Sequence, residues 1–448
     1  DIGNSFVHKQ IKGGKIVKKP NHFPCRFGDL SALIGKTRVT SGERSMDSGV
    51  DNTRELRKEI DIETDTREIL ARASRYAEEH NFKDWLIVDV DAHHSELSSW
   101  KEVVQYIEDP VLRQTAIEMQ NRTGAGAGLS NAVGGLRYQD VGGRIPHQTA
   151  LKEAIDDDSV HRDVTLMRRV MDALSIDWQI LFPGNLLQLG MHPQPRVEVQ
   201  LSFAYNRFLM ERIIPTEPRL KTMLYLPFCE PKECERMVEE FGDHPDVLGF
   251  MVTSVRYKSV HHDSYMRLYA MLEERGKPLC FHAGNNWQDD YLKQLDTFIS
   301  MHAISFVLCS MVHLTNWVMH GLNERFPQLD VIWTESGVAW VPFMMQRLDN
   351  EYLMRSSEAP SLKKLPSEYI TDMYYTTQPM ERTNMDLLEG TFKAMKAETQ
   401  LLYASDWPHW DFDAPSSVYD LPFLDDDAKK NIMGRNAARL FGVPDPTA

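Results

Sequence analysis

Residues 85–96 read WLIVDVDAHHSE, an apolar run that ends in two aspartates, two histidines and a glutamate. A short apolar run with polar flanks predicts a buried strand. Side chains at positions i and i+2 of a strand point the same way, so Asp91 and His93 can reach one metal ion together. His94 points elsewhere, which predicts a structural or supporting role. The alternative interpretation is an ordinary polar turn after a strand.

Seven further β-type runs follow, and helical patterns lie between them. One such pattern, residues 161–175, places its apolar residues on a single face. Residues 263–278 end in Gly276 followed by Pro278, a typical helix stop before a strand. With the first run at 85–91, the runs are 177–182, 220–228, 247–254, 277–284, 329–337, 373–377 and 401–409. This alternation predicts an α/β fold, a TIM-like (β/α)8 barrel. The alternative, a doubly wound open sheet, would need a glycine-rich phosphate turn after the first strand.

The ends of the chain and one internal segment depart from this alternation. Residues 1–80 are predicted to be an N-terminal arm that finishes in a helix at 53–80, and residues 81–448 are predicted to form the barrel. Residues 110–150 are rich in glycine and lack an apolar period, which predicts a long loop insertion after the first barrel strand. In a barrel that loop lies on the face where active sites form.

Composition excludes several classes of protein. A formal net charge of −15 argues against nucleic acid as a partner, because phosphate binding needs a basic face. No run approaches the roughly 20 uninterrupted apolar residues of a membrane span, and the basic N-terminal residues do not form a signal peptide. Five cysteines without a CxxC spacing argue against a disulfide framework or a structural zinc site. We therefore expect a cytoplasmic protein.

Four of the predicted strands end in ligand-type residues. These residues are Asp91 and His93, His282, Glu335, and Asp406. A lone histidine at a strand end is usually structural, but four such strand ends meet on one face of a barrel. A divalent cation satisfies buried carboxylates and imidazoles together, and this mixed ligand set suits Zn²⁺, Mn²⁺ or Fe²⁺.

Several motifs occur in order along residues 85–443: the strand-end Asp-x-His, FHAG (281–284), GLNERFPQLDVIWTESGVAW (321–340), SDWPH (405–409) and NIMGRNAARLFG (431–442). Together they resemble the amidohydrolase-related family. This branch of the amidohydrolase superfamily includes metal-dependent aromatic acid decarboxylases.

The resemblance implies a distorted (β/α)8 barrel with a divalent metal ion held by Asp91, His93, His282 and Asp406. Zinc is the first expectation, with manganese or iron as alternatives. The family usually has His-x-His or Glu-x-His on the first strand, so Asp91 is a shorter variant. Decarboxylases of this branch usually carry a histidine after the sixth strand, where this chain has Glu335. Glu335 either takes over proton transfer or becomes an additional ligand, in which case a second metal ion can bind.

The leading functional hypothesis is non-oxidative decarboxylation of an aromatic or unsaturated carboxylic acid. The metal would orient the substrate carboxylate, and Glu335, Asp406 or His313 would exchange the proton. The alternative is a hydrolase that uses metal-activated water on an ester, thioester, amide or C–C bond. A third hypothesis is a barrel that binds metal but has lost activity.

Candidate substrate-binding residues lie in the loops after the strands. Arg144 could pair with a substrate carboxylate, and Asn285, Trp407 and His409 could line the pocket. Loop and packing roles are the alternative for each of them. The expected partners are a small-molecule carboxylate and further copies of the chain, as a homodimer or higher homo-oligomer, with no nucleic acid and no membrane.

Overall fold

The structure is a computed structural model that describes residues 66–123, 129, 155, 159–254 and 258–447, without the side chains of residues 97, 122 and 123. The chain divides into two units, Asp1–Met46 and Asp47–Ala448, and all described residues belong to the second. The predicted N-terminal arm, the first part of the predicted helix at 53–80 and Arg144 lie outside the described residues.

Eight parallel strands form one sheet in the described part of the chain, in the spatial order β1 to β8. The strands are β1 (Val88–His94), β2 (Trp178–Pro183), β3 (Leu220–Tyr225), β4 (Val247–Val252), β5 (Leu279–His282), β6 (Val331–Thr334), β7 (Tyr374–Thr376) and β8 (Leu401–Leu402). The amide of Val90 donates to the carbonyl of Tyr403 at 2.9 Å, and Ala92 pairs in parallel with Trp407, so the sheet nearly closes. The predicted barrel and all eight predicted strands are confirmed.

Helices alternate with the strands. They are α1 (Thr66–Glu79), α2 (Glu96–Val103), α3 (Pro110–Thr123), α4 (Arg162–Leu174), α5 (Pro195–Phe208), α6 (Pro231–Phe241), α7 (Met266–Glu274), α8 (Phe298–Met319), α9 (Leu322–Arg325), α10 (Trp340–Arg355), α11 (Pro366–Ile370), α12 (Met385–Met395), α13 (Ala397–Gln400), α14 (Ser416–Tyr419), α15 (Asp426–Lys430) and α16 (Asn436–Phe441). Helices α4 and α7 confirm the predictions at 161–175 and 263–278. Pro110 begins α3, and proline is well suited to a first helical turn, so the predicted loop at 110–150 is wrong in its first part.

The strands are buried on both faces, which explains their nearly continuous apolar sequences. On the outer face of the barrel, the ring of Phe281 in β5 stacks on Trp333 in β6 with a centroid distance of 4.7 Å. Phe281 also meets Trp317 and His313 of α8, at 5.8 and 5.6 Å. Because side chains alternate along a strand, His282 points to the opposite side, into the barrel.

In the described part of the chain, one helix, α8, is long and apolar enough to cross a membrane. Its mean hydropathy is 1.6 over 18 residues. It is one weak candidate, because a helix of a barrel layer passes the same test. Its inner side packs on β5 through His313 and Trp317, whereas Ile299, Ile304 and Val312 are exposed.

Candidate metal centre

The end of β1 supplies two side chains to the interior of the barrel. Asp91 and His93 are buried and point inward, whereas His94 points outward and donates from Nε2 to Asp163 Oδ2 at 2.8 Å. The alternation of side chains along the strand therefore separates two adjacent histidines. This agrees with the expectation that His94 does not share the metal with His93.

Barrel closure brings Asp406 beside this strand end. The amide of Asp406 donates to the carbonyl of Asp91, and the amide of His93 donates to the carbonyl of Trp407, both at 2.7 Å. These two backbone hydrogen bonds fix the loop after β8 against β1. As a result, Asp406 Oδ1 lies 3.0 Å from His93 Nε2.

His282 at the end of β5 and Glu335 just after β6 complete the group. Glu335 has a φ of 51° and Asp406 a φ of 58°, so both carboxylates stand on left-handed backbone that non-glycine residues rarely adopt. Such strain persists only where surrounding structure enforces it, and it concentrates at functional sites. We call Asp91, His93, His282, Glu335 and Asp406 the ligand cluster.

The spacing of the ligand atoms matches a metal coordination shell. From His282 Nε2, Asp91 Oδ1 lies at 3.3 Å and Glu335 Oε2 at 3.4 Å. From His93 Nε2, Asp91 Oδ1 lies at 3.4 Å and Glu335 Oε2 at 4.0 Å. A tetrahedron of ligands about 2.1 Å from a central ion has edges of about 3.4 Å. These atoms are therefore placed as ligands of one ion rather than as partners of each other.

Hydrogen bonding at the far side of each imidazole supports the same assignment. His93 Nδ1 donates to the carbonyl of Pro183 and His282 Nδ1 to that of Ala283, both at 2.9 Å. The two Nε2 atoms then carry lone pairs that face the centre, an orientation typical of metal-binding histidines.

Five buried atoms of the cluster make no hydrogen bond among the described residues. They are both carboxylate oxygens of Asp91, Nε2 of His93 and of His282, and Oε2 of Glu335. Buried polar atoms without partners are costly, and one divalent ion would satisfy all five. The two nitrogens and several carboxylate oxygens therefore fit a borderline divalent cation.

Two overlapping groups of residues could hold the ion. One comprises Asp91, His93, His282 and Glu335, and in the other Asp406 and His409 join His93 and Glu335. Within each group the ligand atoms lie within 4.8 Å of one another. Because the single lone pair on His93 Nε2 can bind only one ion, both groups cannot be filled as complete sets.

The charges of the cluster strongly perturb its members. Burial raises the pKa of Glu335 well above its usual range, and the charges of Asp406, Asp91 and Asp411 raise it further. Burial lowers the pKa of His93, but Asp91 and Asp406 outweigh burial and raise it to about 9. Burial raises the pKa of Asp406, yet the neighbouring His409 and His93 hold it well below its usual range. Several carboxylates thus compete for positive charge in one buried space.

A supporting layer holds the cluster. Gln378, which follows β7, donates from Nε2 to Asp406 Oδ2 at 3.0 Å and to Asp411 Oδ2 at 3.2 Å. Asp89 accepts from the Ser405 hydroxyl at 2.7 Å and the Ser405 amide at 2.8 Å, and burial raises the pKa of Asp89 to about 7. Both residues fix the β8 loop on which Asp406 stands. Sequence reasoning missed Gln378 and Asp89, although both are polar residues in or beside apolar strands.

The other predicted site residues have different outcomes. His409 joins the site, since it stacks on His93 at 4.0 Å and its Nδ1 donates to Asp406 Oδ1 at 2.6 Å. Trp407 is buried against Phe412 and takes part in barrel closure. Asn285 is buried after β5, and its Oδ1 has no hydrogen-bond partner in the described part of the chain.

His313 is not brought into the ligand cluster. Its Nε2 lies 3.2 Å from Cys309 Sγ, and its ring faces Phe281 on the outer side of β5. Burial lowers the pKa of His313 to about 4. The prediction that His313 exchanges a proton with the substrate placed it on the wrong side of the strand, because the rotation of α8 could not be inferred from sequence.

A cavity of about 250 Å³ adjoins Glu335. We call it the side cavity. It lies between α8 and the loops after β6, β7 and β8, and it is lined by His302, Ala303, Phe306, Val307, Glu335, Ser336, Pro379, Met380, Glu381 and Asp411. An engineered cavity of about 150 Å³ holds benzene, so this space accommodates one substituted aromatic ring. No feature of the sequence indicates that His302 lines this cavity.

Comparisons with known proteins agree with the fold. The family model described as Amidohydrolase matches residues 147–443. A comparison with curated proteins finds no significant sequence match.

Three solved structures illustrate the similarity. A 2,6-dihydroxybenzoate decarboxylase from Rhizobium has 17% identity and a TM-score of 0.55, and the match covers 80% of this chain and 99% of that one. A 5-carboxyvanillate decarboxylase from Sphingomonas paucimobilis has 18% identity and a TM-score of 0.56, with coverage of 80% and 100%. A dihydroxybenzoic acid decarboxylase from Polaromonas sp. JS666, with bound manganese and the inhibitor 2-nitroresorcinol, has 17% identity, a TM-score of 0.56 and coverage of 80% and 97%. At these identities the similarity demonstrates a shared fold.

Proposed function

The chain belongs to the amidohydrolase family, and on that premise we propose that it is a metal-dependent enzyme that removes CO₂ from an aromatic carboxylic acid. The observation that carries the proposal is the ligand cluster, whose unpartnered nitrogen and oxygen atoms have the spacing of a coordination shell. The adjoining side cavity has room for a single aromatic ring. The similar structures named above are decarboxylases of aromatic acids, and one of them contains manganese.

Asp91, His93, His282 and Asp406 would hold the ion, as the family resemblance implies. Glu335 Oε2 also has the spacing of a ligand, but in this proposal Glu335 is left free to exchange a proton. When bound, a divalent cation supplies positive charge that orients the substrate carboxylate and a neighbouring oxygen. The donor set suits zinc, manganese and iron, and among these we put zinc and manganese first.

We propose that Glu335 exchanges a proton with the substrate. It belongs to the ligand cluster and also lines the side cavity, so its carboxyl group faces both the metal site and a bound ring. In the proposed reaction, a proton from Glu335 forms a new C–H bond at the ring carbon that bears the carboxylate. The C–C bond then breaks, CO₂ leaves, and its bonding electrons restore the aromatic ring. Solvent returns the proton to Glu335.

Hydrolysis is the second candidate, and the position of Glu335 also favours it. A carboxylate 3.4 Å from a metal-binding histidine can accept a proton from an attacking water. The same residues would then cleave an ester, amide or C–C bond.

Metal analysis followed by product analysis tests the proposal. We expect about one zinc or manganese ion per chain after purification without chelators, and loss of that ion in His282→Ala. His244→Ala, an exposed histidine remote from the cluster, is the matched control and should keep the metal. The loaded protein should release CO₂ from at least one member of a panel of 2-hydroxybenzoates.

Two outcomes contradict the proposal. If the folded wild type binds neither zinc nor manganese when both are supplied, the metal centre is wrong. If it binds metal but hydrolyses esters or amides and releases no CO₂, hydrolysis replaces decarboxylation.

A further inference from the structure

The lining of the side cavity indicates how a bound aromatic ring would be oriented. It contacts the ligand cluster only through Glu335, so a ring in the cavity has one end near the metal site and its far end near α8 and the loop after β8. The residues that line the cavity away from Glu335 would therefore contact the substituents at the far end of the ring.

The charged residues among the described lining are all acidic. They are Glu335, Glu381 and Asp411, and the described lining contains no lysine or arginine. Oε2 of Glu381 accepts hydrogen bonds from the amides of Val338 and Ala339 at 3.0 and 3.2 Å, so this carboxylate also holds the start of α10. A second carboxylate at the far end of a substrate would meet acidic groups without a compensating cation.

His302 is a polar residue of the lining that lies outside the ligand cluster. Among the described residues its ring makes no hydrogen bond, and its Nε2 lies 3.9 Å from Asp411 Oδ2. By contrast, Ser336 already bonds Ser310 at 2.7 Å. A hydroxyl oxygen about 2.8 Å from both His302 and Asp411 could bond to the two groups together.

Aromatic neighbours fix the orientation of the His302 ring. Its centroid lies 5.3 Å from Phe306, 5.3 Å from Trp410 and 5.4 Å from Phe298. Burial lowers the pKa of His302 to about 4, so the ring is neutral at pH 7 and offers one donor and one acceptor. The ring is thus a preoriented polar group in a mostly apolar cavity, which is a common arrangement for substrate selection.

We propose that His302, together with Asp411, selects aromatic monocarboxylic acids that carry a hydroxyl or amino group on the ring remote from the carboxylate. This inference rests on the proposed function, because it places the substrate carboxylate at the ligand cluster. His302 determines specificity and takes no part in breaking the C–C bond. A substrate with a second carboxylate at the remote position is disfavoured.

Binding of nitrophenols to the metal-loaded protein tests the inference without relying on turnover. The probes are 2-nitrophenol, which lacks a remote substituent, 4-nitroresorcinol, which has a remote hydroxyl, and 3-hydroxy-4-nitrobenzoic acid, which has a remote carboxylate. We expect the wild type to bind 4-nitroresorcinol about tenfold more tightly than either of the other two, which corresponds to one well-placed hydrogen bond.

The variants separate selection from general packing. His302→Phe should bring the affinities for 4-nitroresorcinol and 2-nitrophenol to within about twofold of each other, whereas His302→Asn should retain part of the preference. His320→Phe, at the C-terminal end of the same helix and outside the cavity lining, should keep the wild-type ratio. Equal ratios in wild type and His302→Phe would overturn the role of His302.

Activity distinguishes this inference from the proposed function. If the hydroxyl preference depends on His302 but no hydroxybenzoate releases CO₂, the cavity assignment stands and the proposed reaction fails. If CO₂ is released and the variants leave the ratio of kcat/KM between 2,4-dihydroxybenzoate and 2-hydroxybenzoate unchanged, the reaction stands and the inference fails.

Discussion

The inner and outer faces of the β1 end carry similar residues in opposite states. On the outer face, Asp163 accepts from His94 at 2.8 Å, from Ser99 at 2.7 Å and from Ser98 at 3.0 Å. On the inner face, both oxygens of Asp91 lack a hydrogen-bond donor among the described residues. Each region combines a buried aspartate with one of the two adjacent histidines of β1.

The difference shows how a structural acid–histidine pair can be told from a ligand set. Outside, the donors saturate the carboxylate, and the pair is stable by itself. Inside, several carboxylates and two imidazoles face one another at distances of 3.0–4.0 Å with few donors, an arrangement that needs positive charge, either a proton on His93 or a divalent ion. Residue type is the same in both regions, so the number of available donors is the feature that separates them.

The largest expected effect is the difference between two single variants, His93→Ala and His94→Ala. His93→Ala removes a ligand and should lower metal affinity by at least about 100-fold, because even supporting residues of metal sites contribute 10–100-fold. His94→Ala should leave metal content unchanged but lower the free energy of unfolding by about 1.5–3 kcal/mol, since Asp163 loses a charged hydrogen bond. Metal analysis and urea denaturation measure the two effects. Loss of metal in a His94→Ala protein of wild-type stability would refute the distinction.

The second effect concerns the side-chain amide of Gln378, which donates to Asp406. Gln378→Ala removes the hydrogen bond to Asp406 Oδ2, so we expect metal affinity to fall about 10–100-fold while the fold persists. Gln400→Ala is the control, because that side chain donates to the carbonyl of Thr371, at the end of α11, at 2.9 Å. Competition with a chromophoric chelator gives both affinities. Similar losses in the two variants would show that Gln378 acts only through stability.

The barrel and most of the ligand cluster were predictable from local sequence. The strand–helix alternation specifies the barrel, and the barrel brings strand ends together, so Asp91, His93, His282 and Asp406 can be identified from the sequence alone. Glu335 could be placed near the metal for the same reason, but its distance from the two imidazoles depends on a left-handed turn that its residue type does not indicate.

The remaining residues depend on helix rotation and loop path, which one sequence does not specify. His302 and His313 lie on the same helix, and only the packing of α8 places the first in the side cavity and the second against Phe281. Gln378 follows a strand of three residues and contacts Asp406 from a neighbouring loop. These contacts are long-range, so periodicity carried no signal for them.

A third effect is that the two faces should respond to pH in opposite directions in the metal-free protein. Burial raises the pKa of Asp163, but the hydrogen bonds of His94 and Ser99 outweigh it and hold the pKa well below its ordinary value of 3.8. Its stabilisation is therefore present above pH 3.8 and is lost as the pH falls further. The raised pKa of Glu335 has the reverse sign, so its stabilisation is present below its ordinary value of 4.5 and is lost as the pH rises.

Glu335→Gln tests this contrast between pH 5 and 8. The variant should raise the free energy of unfolding of the metal-free protein at pH 7 by about 0.5–2 kcal/mol, a common gain when a strained functional group is removed. The decline in stability with rising pH should become shallower but not vanish, because Asp89, whose burial raises its pKa to about 7, titrates in the same direction. Denaturant unfolding at several pH values measures the slope. If the slope of unfolding free energy against pH is the same in Glu335→Gln and wild type, the neighbouring carboxylates do not raise the pKa of Glu335.

The smallest expected effect tests whether the outer carboxylate is truly saturated. Ser98 donates to Asp163 at 3.0 Å from an exposed position, where water can replace its hydroxyl, so Ser98→Ala should change the free energy of unfolding by no more than about 0.5 kcal/mol. Ser99 donates to the same carboxylate from a buried position, and Ser99→Ala should lower stability by about 1 kcal/mol. Neither change should alter metal content, because Asp163 already has His94 as a donor. A loss of metal in either variant would mean that the outer pair positions His93 through the strand, and the two faces would then form one coupled site.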